Sequence, residues 1–143
     1  MPVVQKSVLV PYGAPRMFGL VERVEDYPQF LPWCGGTEVH ERTGDRMVAT
    51  VRIDYRGLRQ AFTTENLHAP HHSIRMSLRD GPFARLDGEW RFTELRADAC
   101  KVEFMLDYVF AGPLLSRALS PVFDQIAASF VDAFVQRAEA LHG

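Results

Sequence analysis

From Cys34 to Phe110 apolar and polar residues alternate, and from Ser120 to Leu141 the apolar ones recur every three to four positions. The first period belongs to half-buried strands and the second to one face of a helix. The alternation is clearest in two runs. Met47, Ala49, Val51, Ile53 and Tyr55 share one side of a strand, and Cys100, Val102, Phe104, Leu106, Tyr108 and Phe110 share one side of the last. Other strands are expected over Thr37 to Arg42, over Leu58 to Leu67, around Ile74, Met76 and Leu78, and around Leu86, Trp90 and Phe92. Gly88 within the last of these suits a bend or a close approach. Turn signals at Thr43-Gly44-Asp45-Arg46, Arg56-Gly57, Ala69-Pro70-His71 and Asp80-Gly81-Pro82 separate them. Such short turns favour antiparallel hairpins, because a parallel crossover takes a dozen residues or more.

The final stretch, SPVFDQIAASFVDAFVQRAEAL, has a broad apolar face with Phe123, Phe130 and Phe134. Ser120 suits an N-cap, Pro121 the first helical position, Asp124 the positive end and Arg137 the negative end. A helix over Ser120 to Leu141 would be about 33 Å long, with Leu114 to Leu119 forming a separate turn before it. Upstream, Val3 to Val10 reads as a first strand ended by Pro11-Tyr12-Gly13. Ala14 to Val24 reads as a short amphipathic helix. Asp26 can cap a second short helix through Tyr27, Phe30 and Leu31, which Pro32 stops. The order predicts one α+β domain over residues 1–143: a curved antiparallel sheet of about seven strands wrapped around the C-terminal helix, with two short helices after the first strand.

Composition narrows this picture. Ten Phe against four Tyr and two Trp suggest a core or cavity lined with apolar rings. A net charge of −2 argues against nucleic-acid binding by bulk charge. The two-helix outline near the N-terminus carries YPQFLPWC where a DNA-reading helix needs basic and polar side chains, so no DNA partner is expected. Cys34 and Cys100 form no ligand set and read as free buried thiols. No signal peptide is seen and no uninterrupted apolar run reaches the ~18 residues of a membrane span. The expectation is a cytoplasmic protein, peripheral at the inner membrane at most.

Little in the chain announces catalysis. His68, His71 and His72 surround Pro70 and read as a solvated loop rather than a metal site. Asp54, Glu65, Asp80, Asp87 and Glu89 show no acid/base spacing, and phosphate-loop, dinucleotide, hydrolase and zinc-protease patterns are absent. No catalytic residue and no metal ligand are assigned. YPQFLPWC, from Tyr27 to Cys34, reads both as a plug closing one end of the sheet and as a lip over an apolar cavity. Leu114, Leu115 and Leu119 suit a greasy entrance, a membrane-touching edge or simple packing.

Three blocks carry a resemblance: YPQFLPWC, then DGPF with LDGEWRF (Asp80 to Phe92), then FVDAFVQRAEALHG (Phe130 to Gly143). In this order they resemble the START-like coenzyme Q-binding and RatA family, older members of which are called oligoketide cyclases. The resemblance implies a helix-grip (START/Bet v-like) fold and an apolar tunnel between sheet and helix. It implies a polyprenyl lipid such as ubiquinone as ligand in one branch, supporting respiratory electron transport. In the RatA branch it implies a toxin that binds the large ribosomal subunit and blocks subunit joining. A cyclase-like enzyme is the third reading and would need a paired polar constellation in the cavity. The tunnel walls expected are Trp90, Phe104, Leu106, Tyr108, Phe130 and Phe134, with Phe30, Leu31 and Trp33 as the lip. Tyr108 is the expected polar contact for a quinone head.

Overall fold

The structure, a computed structural model, describes residues 3–142. Seven strands form one antiparallel sheet in the order β1-β7-β6-β5-β4-β3-β2. They are β1 (Val3–Val10), β2 (Cys34–Arg42), β3 (Arg46–Tyr55), β4 (Leu58–Ala69), β5 (Ser73–Asp80), β6 (Phe83–Arg96) and β7 (Ala99–Phe110). Helix α1 (Ala14–Glu22) and a 3₁₀ helix (Val24–Gln29) connect β1 to β2 across the open side of the sheet. Helix α2 (Pro113–His142) closes the chain. This is the α+β architecture expected from the periodicity and the helix-grip fold that the resemblance implies.

The strongest alternation gives the most regular strand. Even-numbered residues of β7 from Cys100 to Phe110 are buried and the odd ones are not. Its neighbours keep register along its length: Val10 pairs with Cys100, Trp90 with Phe104 and Leu86 with Tyr108. Gly88 lies opposite Leu106 and Met76. A Cβ there would come within 2.6 Å of Met76 Cε and 3.1 Å of Leu106 Cδ1, so the glycine lets two side chains meet over the strand. A register shift between β4 and β5 at Thr63/Thr64 bends the sheet beside the core.

Three expectations are corrected. α2 begins at Pro113, not Ser120, and Pro121 lies inside it. Gly112, at φ 90°, turns the chain out of β7, and Pro113 takes the first-turn position that suits proline. Pro121 then costs one internal hydrogen bond rather than marking a start. At 30 residues the helix is about 45 Å long. The second short helix is 3₁₀, with Pro28 inside it. The histidines are not one solvated loop: His71 and His72 are exposed in the β4–β5 turn, but His68 is buried on β4 at 8 % exposure.

The core lies between the sheet and α2, which contributes Phe123, Ile126, Ala127, Val131, Phe134 and Ala138. Cys34 and Cys100 are free and buried. By length and composition alone α2 could cross a bilayer, with a mean hydropathy of 1.3 in one 18-residue window, but its buried face is part of this core. Leu114 and Leu115, in its first turn, are exposed.

Candidate functional site

α2 lies against only part of the sheet. Its main backbone contacts are with β1, β7 and α1. Toward β3, β4 and β5 the gap is bridged by side chains, and a cavity of about 60 Å³ remains there. Its walls are Val24 and Tyr27 of the 3₁₀ helix, Leu31 and Trp33 after it, residues of β3 to β7, and Phe123, Phe130 and Phe134 of α2. No charged side chain lines it.

The lip is built by local chemistry. Pro28 and Pro32 bracket Phe30 and Leu31, and the backbone turns so that Leu31 N–H reaches the Tyr27 carbonyl at 2.9 Å. The Tyr27 hydroxyl donates to the Val21 carbonyl at 2.5 Å, and burial of that hydroxyl pushes its pKa up. Trp33 is then carried inward at the head of β2 and stacks on Phe130, ring centroids 5.1 Å apart. Phe134 is met edge-on by Tyr27, Phe30 and Trp90 at 5.2–5.4 Å. Arg137 lies over the Phe30 ring at 5.1 Å and donates to Gln29 at 2.9 Å, fastening the lip to the helix from outside.

Six of the nine residues named as tunnel walls from sequence border this cavity: Leu31, Trp33, Trp90, Leu106, Phe130 and Phe134. Phe104 supports two of them from behind, 4.6 Å from Trp90 and 5.5 Å from Phe130. Phe30 is half-buried on the outer side of the lip. Tyr108 is fully buried and donates its hydroxyl to Asp124 of α2, so it is a tie between sheet and helix rather than a free polar contact. Burial holds the Asp124 carboxyl above its usual range.

The sequence reading missed two polar walls, Thr64 and Asn66, which are 6 % and 5 % exposed. Thr64 Oγ1 donates to Asn66 Oδ1 at 2.8 Å. A signal for them existed. Phe62 and Leu67 are an odd number of residues apart and cannot both face inward in a regular strand. Turning Phe62 inward places Thr64, Asn66 and His68 inward too and leaves Leu67 outside, at 52 % exposure. His68 continues this row but packs on Phe18 instead of the cavity, and burial lowers its pKa. Among the described residues no group of His, Cys, Asp and Glu could hold a metal ion.

The profile of the family described as "Polyketide cyclase / dehydrase and lipid transport" matches residues 10–135. The chain is 44 % identical over 142 residues to the Persistence and stress-resistance toxin PasT of Escherichia coli O6:H1, covering 99 % of this chain and 90 % of the relative. It is 43 % identical, over the same shares, to the Ribosome association toxin RatA of Escherichia coli K12. A more distant relative is the mitochondrial Coenzyme Q-binding protein COQ10 homolog B of Xenopus laevis, 26 % identical over 96 % of this chain and 58 % of that one. Among solved structures the ZhuI aromatase/cyclase from a Streptomyces species superposes with a TM-score of 0.84 at 19 % identity, covering 96 % of this chain and 93 % of that one.

Proposed function

Because the chain belongs to the polyketide cyclase/dehydrase and lipid transport family, we propose that it binds an apolar ligand between α2 and the β3–β5 half of the sheet. The ligand class we favour is an isoprenoid quinone or a related polyprenyl lipid, carried without chemical change in support of respiratory electron transport. The observation that carries this reading is the cavity itself. It is lined mainly by rings and aliphatic side chains, carries no charge, and lies where α2 is not seated on the sheet backbone. Burying a polyprenyl tail there is worth about 0.8 kcal/mol per CH₂ group.

At about 60 Å³ the cavity is far smaller than the roughly 300–1,000 Å³ of a typical ligand pocket. Binding therefore requires the lip to part from α2. The rings bridging that gap are the ones to move: Tyr27, Phe30 and Phe130 are only half-buried. Exposed Leu114 and Leu115 at the start of α2 would be the part of the molecule that touches a bilayer during loading, with the protein otherwise cytoplasmic. Organic extraction of the purified protein tests the reading. A bound isoprenoid quinone in the extract is expected. Empty protein that takes up none when quinone is supplied would overturn it.

A second reading, association with the large ribosomal subunit, is favoured by the toxin-named relatives, which match nearly the whole chain at 43–44 % identity. The outer sheet face does not favour it by charge, since most of its arginines pair with carboxylates, as in Arg46–Glu65 and Arg91–Glu89. Sucrose-gradient profiles after overexpression test it. Loss of joined ribosomes is expected, and unchanged subunit joining would sink this reading.

A further inference from the structure

We infer that Thr64, Asn66 and Trp33 form a hydrogen-bonding site inside the cavity for an uncharged ligand head that presents a carbonyl oxygen. The inference rests on the apolar-ligand reading above and deepens it, because it says which part of the ligand is recognised and by which atoms.

Three observations carry it. First, β4 turns polar side chains into a core whose other walls are mostly apolar, while it leaves Leu67 outside. A strand built only to pack would bury an aliphatic side chain at Thr64 and Asn66, since a buried polar group costs free energy unless fully paired. Second, the pairing is incomplete. Asn66 Oδ1 accepts from Thr64, and the Asn66 amide nitrogen has no partner among the described residues. With the amide oxygen meeting the hydroxyl, the end left over is the NH₂, which donates. Third, the indole N–H of Trp33, another residue lining the cavity, is buried and without a partner among the described residues. An indole nitrogen can only donate.

The free groups are thus two donors on residues that line one cavity. They call for an acceptor. With no charged side chain on the walls, an anionic head would be buried without a counter-charge, so the acceptor belongs to a neutral group. A ketone, quinone or ester oxygen on an apolar body meets both conditions. A plain hydrocarbon would leave the donors unpaired.

Calorimetric titration with decylubiquinone and with decylbenzene separates the outcomes. The wild-type chain is expected to bind decylubiquinone about tenfold more tightly or better. Thr64→Val, Asn66→Leu and Trp33→Phe should each cut that preference by roughly three- to tenfold, while affinity for decylbenzene stays within about twofold. Should Asn66→Leu fail to fold, Thr64→Val, which keeps the shape, and Trp33→Phe still decide the matter. A preference that survives all of these substitutions overturns the inference. Equal binding of both probes by the wild type overturns it while leaving the cavity reading intact. Binding of neither probe removes the cavity reading, and this inference with it.

Discussion

The two ends of the sheet–helix interface are built from the same kind of side chain to different effect. At the β6–β7 end Phe83, Tyr108, Phe110 and Phe123 are all buried, with Phe83 and Phe110 stacked at 4.6 Å and Tyr108 against Phe123 at 4.7 Å. The Tyr108–Asp124 hydrogen bond ties the same end of α2 to the sheet. At the lip end Tyr27, Phe30 and Phe130 are half-buried, and the space between them and β4 is not filled. Rings packed on a strand backbone make a fixed seam. Rings that meet other rings across a gap, fastened from outside by the exposed Arg137–Gln29 hydrogen bond, make a closure whose parting leaves the sheet intact.

The sharpest break of this comparison is at the fixed end. Phe123→Ala should cost about 3–5 kcal/mol in urea unfolding, because its ring is closed in by Phe62, Phe83, Tyr108 and Phe110. Phe130→Ala, at the lip end, should cost only about 1–2 kcal/mol, since its ring, unlike that of Phe123, is partly exposed. It should weaken uptake of decylubiquinone instead. Equal stability losses at the two positions would dissolve the distinction. Gly88→Ala should cost about 1–3 kcal/mol by overpacking while pushing the Met76 methyl into the cavity. Titration calorimetry should then show weaker binding. Tyr108→Phe should lower stability by about 1 kcal/mol and leave ligand affinity alone, because its hydroxyl serves the seam.

The smallest effect is a pH slope. Burial lowers the folded-state pKa of His68 below its ordinary 6.5, so the unfolded chain binds the proton more readily. The stabilising contribution of neutral His68 is complete above that ordinary value, declines as pH falls below it, and is lost beneath the folded value. In His68→Gln the difference in unfolding free energy from wild type should change over this window and be flat above it. A difference that is flat throughout would place His68 in solvent.

Legibility from sequence followed the strength of the local signal. β7 was plain because its inward residues from Cys100 to Phe110 form an unbroken buried row, while Lys101, Glu103 and Asp107 mark the other face despite Met105 and Val109. The start of α2 was misread because Ser120-Pro121 has the chemistry of a helix beginning, and a proline within a helix looks the same in sequence as one at its first turn. The aromatic walls were visible as types, but not their aim. Tyr108 and Phe104 share a strand face with Leu106, yet only Leu106 reaches the cavity, because α2 crosses that face and takes Tyr108 for itself through Asp124. Thr64 and Asn66 stayed hidden because an inward polar row imitates the solvent face of an ordinary strand.

The most direct measurement is a nitrogen–proton NMR titration with decylubiquinone, following the indole N–H of Trp33 and the backbone amides of Phe83, Tyr108 and Phe110. The predicted result is a downfield shift of the Trp33 indole proton as it meets the carbonyl, with the three seam amides unmoved. An unshifted indole signal, or shifts spread through the seam, would contradict a ligand held between the lip and β4.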